Sequence, residues 1–162
     1  MRYSVREATR ADEDSLLELW HGFTAHLSQF DERYKHNENA NERWLRYFEN
    51  QLIDSKYGVV FVAEDDDTGE LVGILEARVT GNHPIFRLED HGQINGHYVP
   101  DECQGEGIGH ALIDAAAEWF ARDPRGVDFL RVDVLEGDEE VSSVYRTAGM
   151  EPVEHTYEKQ LE

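Results

Sequence analysis

Apolar positions recur along this chain with two different periods, and their order predicts its elements. Residues 3–7, YSVRE, read as a short strand. Over residues 9–30, Leu16, Trp20, Phe23 and Leu27 fall at helical spacing, with Thr9 or Asp12 as the expected cap. Residues 31–39 are a polar connection. A second helix is expected over 40–54, with Trp44, Phe48 and Leu52 on one stripe. Residues 57–65 and 70–80 read as strands that flank a DDTG hairpin turn. Residues 92–99, GQINGHYV, read as another strand. Gln93, Asn95, His97 and Val99 share one face of it by period two. Ile108, Leu112, Ala115, Ala116 and Trp119 then return to helical spacing. Residues 129–136 alternate as a strand. Asp138 is placed to cap a last helix with Val141, Val144, Tyr145 and Ala148 on its stripe, stopped by Gly149. Residues 151–161 read as a closing strand. The predicted order is β-α-α-β-β-β-α-β-α-β, without repeats or a long linker.

That order predicts one α/β domain over residues 1–162, with a mixed, partly antiparallel sheet and helices packed on it. The length suits one domain with its own core. No apolar run reaches the ~18 residues that a membrane helix needs. The N-terminal residues carry no apolar secretory core, so no signal peptide is expected. The lone cysteine, Cys103, excludes an intrachain disulfide and suits a cytoplasmic home.

Charge changes the picture. There are 35 acidic residues against 15 basic ones, a formal net charge of -20, and only Lys35, Lys56 and Lys159 are lysines. Such self-repulsion strains a small domain unless salt screens it. The composition resembles that of proteins from salt-accumulating halophiles. Nucleic acid and anionic membrane surfaces are disfavoured as partners.

The candidate chemistry lies in residues 103–112, CQGEGIGHAL, where Gly105, Gly107 and Gly109 lead into a helix. A helix N-terminus exposes unpaired N–H groups, and glycines let an anion approach them. A P-loop is excluded, because no Lys-Ser/Thr pair follows the glycines. A dinucleotide fingerprint is weak: His110 stands where a small residue is needed, and the segment comes two thirds of the way along the chain. An NAD-binding oxidoreductase is therefore the weakest reading. Gln104-Gly105-Glu106-Gly107-Ile108-Gly109 instead fits [RQ]-x-x-G-x-[GA], the motif of the Gcn5-related N-acetyltransferases, the GNAT family. Residues 97–120 resemble the family's strand, loop and helix. Residues 134–152 resemble its second signature, and VREATRADEDSLLEL its opening strand and helix.

The resemblance implies a GNAT fold, a mixed and mostly antiparallel sheet splayed between the fourth and fifth strands, with helices on both faces. It implies acetyl-CoA as cosubstrate and no metal. Backbone N–H groups from Gln104, Gly105, Glu106, Gly107, Ile108 and Gly109 would cradle the pyrophosphate, with His110 close by. The main chain of Tyr98 and Val99 would pair with the pantetheine arm. Tyr145 matches the tyrosine that protonates the departing CoA thiolate. Asp138 stands where relatives often carry asparagine. Transfer would run directly to a primary amine of a small molecule or peptide, because Cys103, on the pyrophosphate side, is the only cysteine available for an acyl-enzyme.

An alkyl ammonium has a pKa of about 10 and must lose a proton before it attacks. Many relatives carry a glutamate early in the fourth strand; here the residue is Gln93, which is no base. Glu76 on the preceding strand, and His97 or Asn95 on the same one, are the candidates. Gln93 also motivates the rival reading, a non-catalytic CoA-binding sensor or interaction module. Glu106, where many relatives have lysine or arginine, sets a negative charge beside an anion site. Arg33, Tyr34 and His36 are expected to face the acceptor. A homodimer is a further possibility carried by the resemblance. His21, His26 and His36 show no metal-ligand spacing.

Overall fold

The computed structural model describes residues 1–37, 39–81 and 84–161; Glu38 of the polar connection, Asn82, His83 and Glu162 lie outside them. Strand β1 (Tyr3–Glu7) leads through a 3₁₀ turn at Arg10–Asp12 into helix α1 (Glu13–Ser28). The Asp12 carboxylate accepts the Thr9 backbone N–H at 2.8 Å, so Thr9 and Asp12 share the entry. Arg6 donates to both Asp12 oxygens, at 2.8 and 2.9 Å, and ties β1 to the helix start. Helix α2 (Asn41–Tyr47) ends in a π turn over Phe48–Leu52, where the Ile53 N–H reaches the Phe48 carbonyl. The predicted stripe of Trp44, Phe48 and Leu52 stays buried through this wider turn.

Strands β2 (Gly58–Asp65), β3 (Leu71–Thr80) and β4 (His91–Tyr98) follow. The DDTG segment makes the β2–β3 turn, with Gly69 at φ 76°. Helix α3 (Ile108–Ala121), strand β5 (Leu130–Val132) and helix α4 (Glu139–Thr147) complete the order. The sheet runs β1-β2-β3-β4-β5. Its first three pairings are antiparallel and β4–β5 is parallel.

Each face of the sheet carries its own apolar layer. Val59, Phe61, Leu75, Ala77 and Ile94 pack against Ile108, Leu112, Ala116 and Phe120 of α3. On the other face Val60, Val62 and Ile74 meet Leu16 and Leu19 of α1 and Trp44 and Phe48 of α2. Full burial of a Leu, Ile or Phe side chain contributes roughly 1.5–3 kcal/mol. The two layers hold the sheet rigid, and the site forms where it splits.

Two expectations change. The strand expected over 129–136 keeps only Leu130–Val132. The closing strand expected over 151–161 does not form: the segment carries no ladder among the described residues, and Val153, Tyr157 and Leu161 are 65%, 91% and 88% exposed. It touches the chain through side chains, Glu154 to Arg131 at 3.2 Å and Glu158 to Arg33 at 2.8 Å. Alternation makes a strand only where a partner edge and an apolar face await it, and three residues of β5 supply neither at sufficient length.

Candidate active site

The centre of the site is an irregularity in β4. Leu75 pairs with His97 and Glu76 with Gly96, but Ala77 pairs with Ile94. Asn95 is thus the extra residue of a β-bulge. The bulge resets the alternation, so the expected shared face of Gln93, Asn95, His97 and Val99 is not formed. Ile94 and Val99 lie in the α3-side layer, and His97 reaches Gly109 of α3. Gly92 likewise faces Phe120 of α3, which puts Gln93, one residue on, across the sheet; its Nε2 donates to the Ile94 carbonyl at 3.4 Å. Asn95 is exposed.

Beyond the bulge the sheet opens. β5 pairs with β4 only at Gly92, Gln93 and Ile94, and ends at Val132, whereas β4 runs on to Tyr98. The β4 edge from Asn95 onward therefore faces a gap. A cleft of about 420 Å³ lies alongside, lined by Gly22, His26, Tyr98, Asp101, Asp138 and Glu139. Two glycines let α1 approach this closely. A Cβ on Gly22 would sit 2.5 Å from the Tyr98 ring, and one on Gly96 would sit 2.7 Å from Trp20. A glycine inside a helical pattern and another inside a strand pattern were the available signals for this contact.

At one end of the gap stands the glycine turn. Gly105 at φ 86° and Gly107 at φ 79°, the N-cap of α3, occupy the left-handed region that favours glycine. The first intrahelical bond runs from the Ala111 N–H to the Gly107 carbonyl. The N–H groups of Ile108, Gly109 and His110 precede it and have no intrahelical acceptor. Such a set fits a phosphate. Gln104 steadies the turn, donating from Nε2 to the Val99 carbonyl at 3.2 Å. The Glu106 carboxylate turns to the N-terminal amine at 3.5 Å, and its carbonyl accepts from the Tyr3 hydroxyl. The His110 ring bonds Thr147 at 2.9 Å and the Val144 carbonyl at 3.2 Å, so its side chain joins α3 to α4 while its main chain stays in the turn.

On the α3–α4 side of the gap, His97 Nε2 lies 3.1 Å from the Gly109 carbonyl and Nδ1 lies 2.9 Å from the Tyr145 hydroxyl. Tyr145 is buried, and burial raises its phenol well above the ordinary value. Desolvation pushes His97 down to about 4, so the imidazole is neutral near pH 7. Asp138 caps α4 as expected, accepting the Val141 N–H at 3.2 Å, and its other oxygen meets His26 Nε2 at 2.7 Å.

Glu76 lies on the opposite face of the sheet, toward α1 and α2. It is 1% exposed. Burial pushes its carboxyl up to about 7, partly offset by the side chains of Asn95, Arg78, Tyr47 and Trp44. Glu76 Oε2 and Trp44 Nε1 are, among the described residues, the buried side-chain polar atoms without a hydrogen-bond partner. The helical spacing of Trp44 predicts a core residue and does not reveal that its side chain lies beside a buried carboxyl. The structure thus brings His97 and Tyr145 together and leaves Glu76 beneath the bulge from the other side. Of the presumed acceptor-facing residues, Arg33 is engaged by Asp31 and Glu158, and His36 by Asn41. Tyr34 is exposed. Among the described residues no cluster of His, Cys, Asp and Glu has metal-binding geometry.

Known proteins share this architecture. Residues 20–150 match the family model described as "Acetyltransferase (GNAT) family". The chain is 30% identical over 132 residues to an uncharacterized N-acetyltransferase, MJ1207, of Methanocaldococcus jannaschii, covering 82% of this chain. It spans about half, 54%, of that relative's length. It is 33% identical over 111 residues to aminoglycoside N(6')-acetyltransferase type 1 of Stenotrophomonas maltophilia, covering 64% of this chain and 67% of that one. Among solved structures, a mutant of the BH1408 protein of Bacillus halodurans superposes with a TM-score of 0.80 at 20% identity, covering 98% and 99% of the two chains. The aminoglycoside acetyltransferase AAC(6')-Iy, solved with a bisubstrate analog of CoA, superposes with a TM-score of 0.73 at 15% identity, over 100% and 99%. The splayed sheet, the glycine turn and the family match over residues 20–150 agree, and the chain belongs to the GNAT acetyltransferase family.

Proposed function

We propose that this protein, as a single domain, moves the acetyl group of acetyl-CoA directly to a primary amine of a small molecule or peptide within a ternary complex. The observation that carries this reading is the β4 edge beyond Ile94, unpaired among the described residues, which runs between the turn with the N–H groups of Ile108, Gly109 and His110 and the Tyr145 hydroxyl. The N–H groups of Ile108, Gly109 and His110, on the turn shaped by Gln104, Gly105, Glu106 and Gly107, hold the pyrophosphate. The main chain of Tyr98 and Val99 pairs with the pantetheine arm as an added strand. Backbone groups freed by the bulge bond the thioester oxygen, and Asp138 frames the cleft from the α4 side.

The amine nitrogen forms the new bond to the acetyl carbon, and the carbon–sulfur bond breaks. The ammonium first gives one proton to Glu76, the carboxyl next to the Trp44 side chain, and the nitrogen loses its second proton to water as the carbon–sulfur bond breaks. The departing sulfur accepts a hydrogen bond from the Tyr145 hydroxyl. His97 is not the amine's base in this scheme, because Gly109 and Tyr145 occupy both its nitrogens. A cationic amine suits the acidic chain, and a similar protein is named for aminoglycosides. Thiol release from acetyl-CoA over a panel of amines in high salt tests the reading. Gln93 in place of a carboxylate favours one rival, a CoA-binding module without catalysis. Tight CoA binding with no release for any amine would establish that rival.

The acidic surface is read as an adaptation to a salt-rich cytoplasm, and a second copy of this chain as the partner of residues 151–161. The tail keeps a strand pattern but carries no ladder among the described residues, and β5 offers an edge of only three residues, so the tails of two copies are the edges that would pair with each other. The full chain should sediment as a dimer, more tightly in about 1 M KCl than in about 0.1 M, because salt screens like charges. The chain shortened at residue 150 should be a monomer in both. A monomeric full chain at both concentrations ends the proposal.

A further inference from the structure

We propose that His97 is a positioning residue that parks the Tyr145 proton and ties the phenol to the glycine turn. The inference rests on the assignment of Tyr145 to the departing sulfur. Its basis is a hydrogen-bond chain whose direction one backbone atom decides. The Gly109 carbonyl can only accept, so His97 Nε2, 3.1 Å away, carries the proton. The neutral imidazole then has a bare lone pair on Nδ1, and the Tyr145 hydroxyl, 2.9 Å away, must donate to it. The rings are tilted by 32° with centroids 5.7 Å apart, so the contact is made through the hydrogen bond and not by stacking. Gly109 belongs to the turn that holds the pyrophosphate, so the same chain of bonds reaches from the phosphate site to the phenol.

The chemical consequence is specific. The hydroxyl has one proton, and in the resting site His97 holds it. As negative charge builds on the sulfur, the hydroxyl turns about its C–O bond and donates there. It does not give the proton up. A phenolate at this place would face the Nδ1 lone pair with no N–H to stabilise it, because the only ring proton is held by Gly109. An alkyl thiol near 8.5 is also a stronger acid than an ordinary phenol near 10, and burial moves this phenol further up. Tyr145 therefore stabilises the leaving thiolate by a hydrogen bond, and the thiolate takes its proton from water.

Two substitutions separate the two bonds of His97. A glutamine side chain ends near the position of Nε2, keeping a donor for Gly109 and losing the acceptor for Tyr145. An asparagine ends near Nδ1 and does the reverse. His97→Gln should lower kcat about tenfold, as Tyr145→Phe does, with CoA affinity nearly unchanged. His97→Asn should keep kcat within about threefold and weaken CoA binding instead. The double variant of His97→Gln with Tyr145→Phe should lose no more than either alone, because the two act as one unit. Nitrogen NMR of the imidazole should show the Nε2-protonated tautomer, with the Nδ1 signal moving in Tyr145→Phe.

A Tyr145→Phe variant with full kcat overturns the role of Tyr145 and this proposal with it. A slowed Tyr145→Phe beside an unaffected His97→Gln overturns this proposal alone, as does an Nδ1-protonated ring or an asparagine variant slower than the glutamine one.

Discussion

Replacing Glu76 by glutamine is expected to cut kcat about a hundredfold or more, the usual worth of a general base. The steep part of the pH–rate profile should vanish with it. In the parent protein kcat should rise as pH passes through about 7, where the buried carboxyl ionises. A glutamine keeps the shape and the burial but accepts no proton, so the variant's residual rate should be flat across that range. Stability should move the opposite way. The folded carboxyl ionises near 7, above its ordinary 4.5, so the folded state binds this proton more readily than the unfolded chain. The stability linked to it is complete below about 4.5 and lost as pH rises through about 7. Glu76→Gln should therefore match the parent at low pH and melt at a higher temperature above pH 7. Stopped thiol release and thermal melts over the same pH series read both effects. A variant that keeps the parent's kcat and pH limb removes Glu76 from the reaction, and Asn95 is then the next polar group at the bulge.

Replacing Gly107 by valine should raise the dissociation constant for CoA about thirtyfold or more. Gly107 holds φ 79° as the N-cap of α3. The left-handed region costs an ordinary residue roughly 1–2 kcal/mol, and a β-branched one more. A turn that relaxes to negative φ redirects the N–H groups of Ile108, Gly109 and His110, which then no longer point at one anion. The cost of the turn adds to the loss of charge-assisted bonds, each worth about 1.5–3 kcal/mol. Calorimetry with CoA measures the affinity, and far-ultraviolet dichroism checks that α3 still folds. Unchanged affinity in a folded variant would move the pyrophosphate away from this turn. The open space around Gly105 makes that position a weaker test, because only its φ of 86° resists a side chain.

The helices were legible because each buries one stripe. Trp44 and Phe48, and Ile108 with Leu112 and Ala116, lie buried at the expected helical spacing; in α1 Leu16 is buried as expected, whereas Trp20, Phe23 and Leu27 are half-buried and Leu19 takes the inner place. The glycine turn was legible because its conformation demands particular residues: Gly105 and Gly107 sit at positive φ. The Asp138 cap was legible for the same local reason. The bulge at Asn95 was not. A period of two predicts alternate faces only while two strands stay in register, and the slip is decided jointly by β3 and β4. The closing strand failed for a related reason, since a strand is a property of a pair of edges.

By itself, then, the sequence determined what depends on neighbours along the chain: the order of the helices and of the first five strands, the glycine turn before α3, the cap of α4 and the acidic balance of charge. Only the tertiary structure decided what depends on groups far apart in sequence. It set His97 between Gly109 and Tyr145, 12 and 48 positions away. It put the Glu76 carboxyl beneath the bulge beside Trp44 and left residues 151–161 without a strand ladder among the described residues. The physical reason is that hydrogen-bond direction and desolvation act through space. A proton's place on one imidazole, or a carboxyl raised toward 7, is settled by whichever groups the fold brings within about 3 Å.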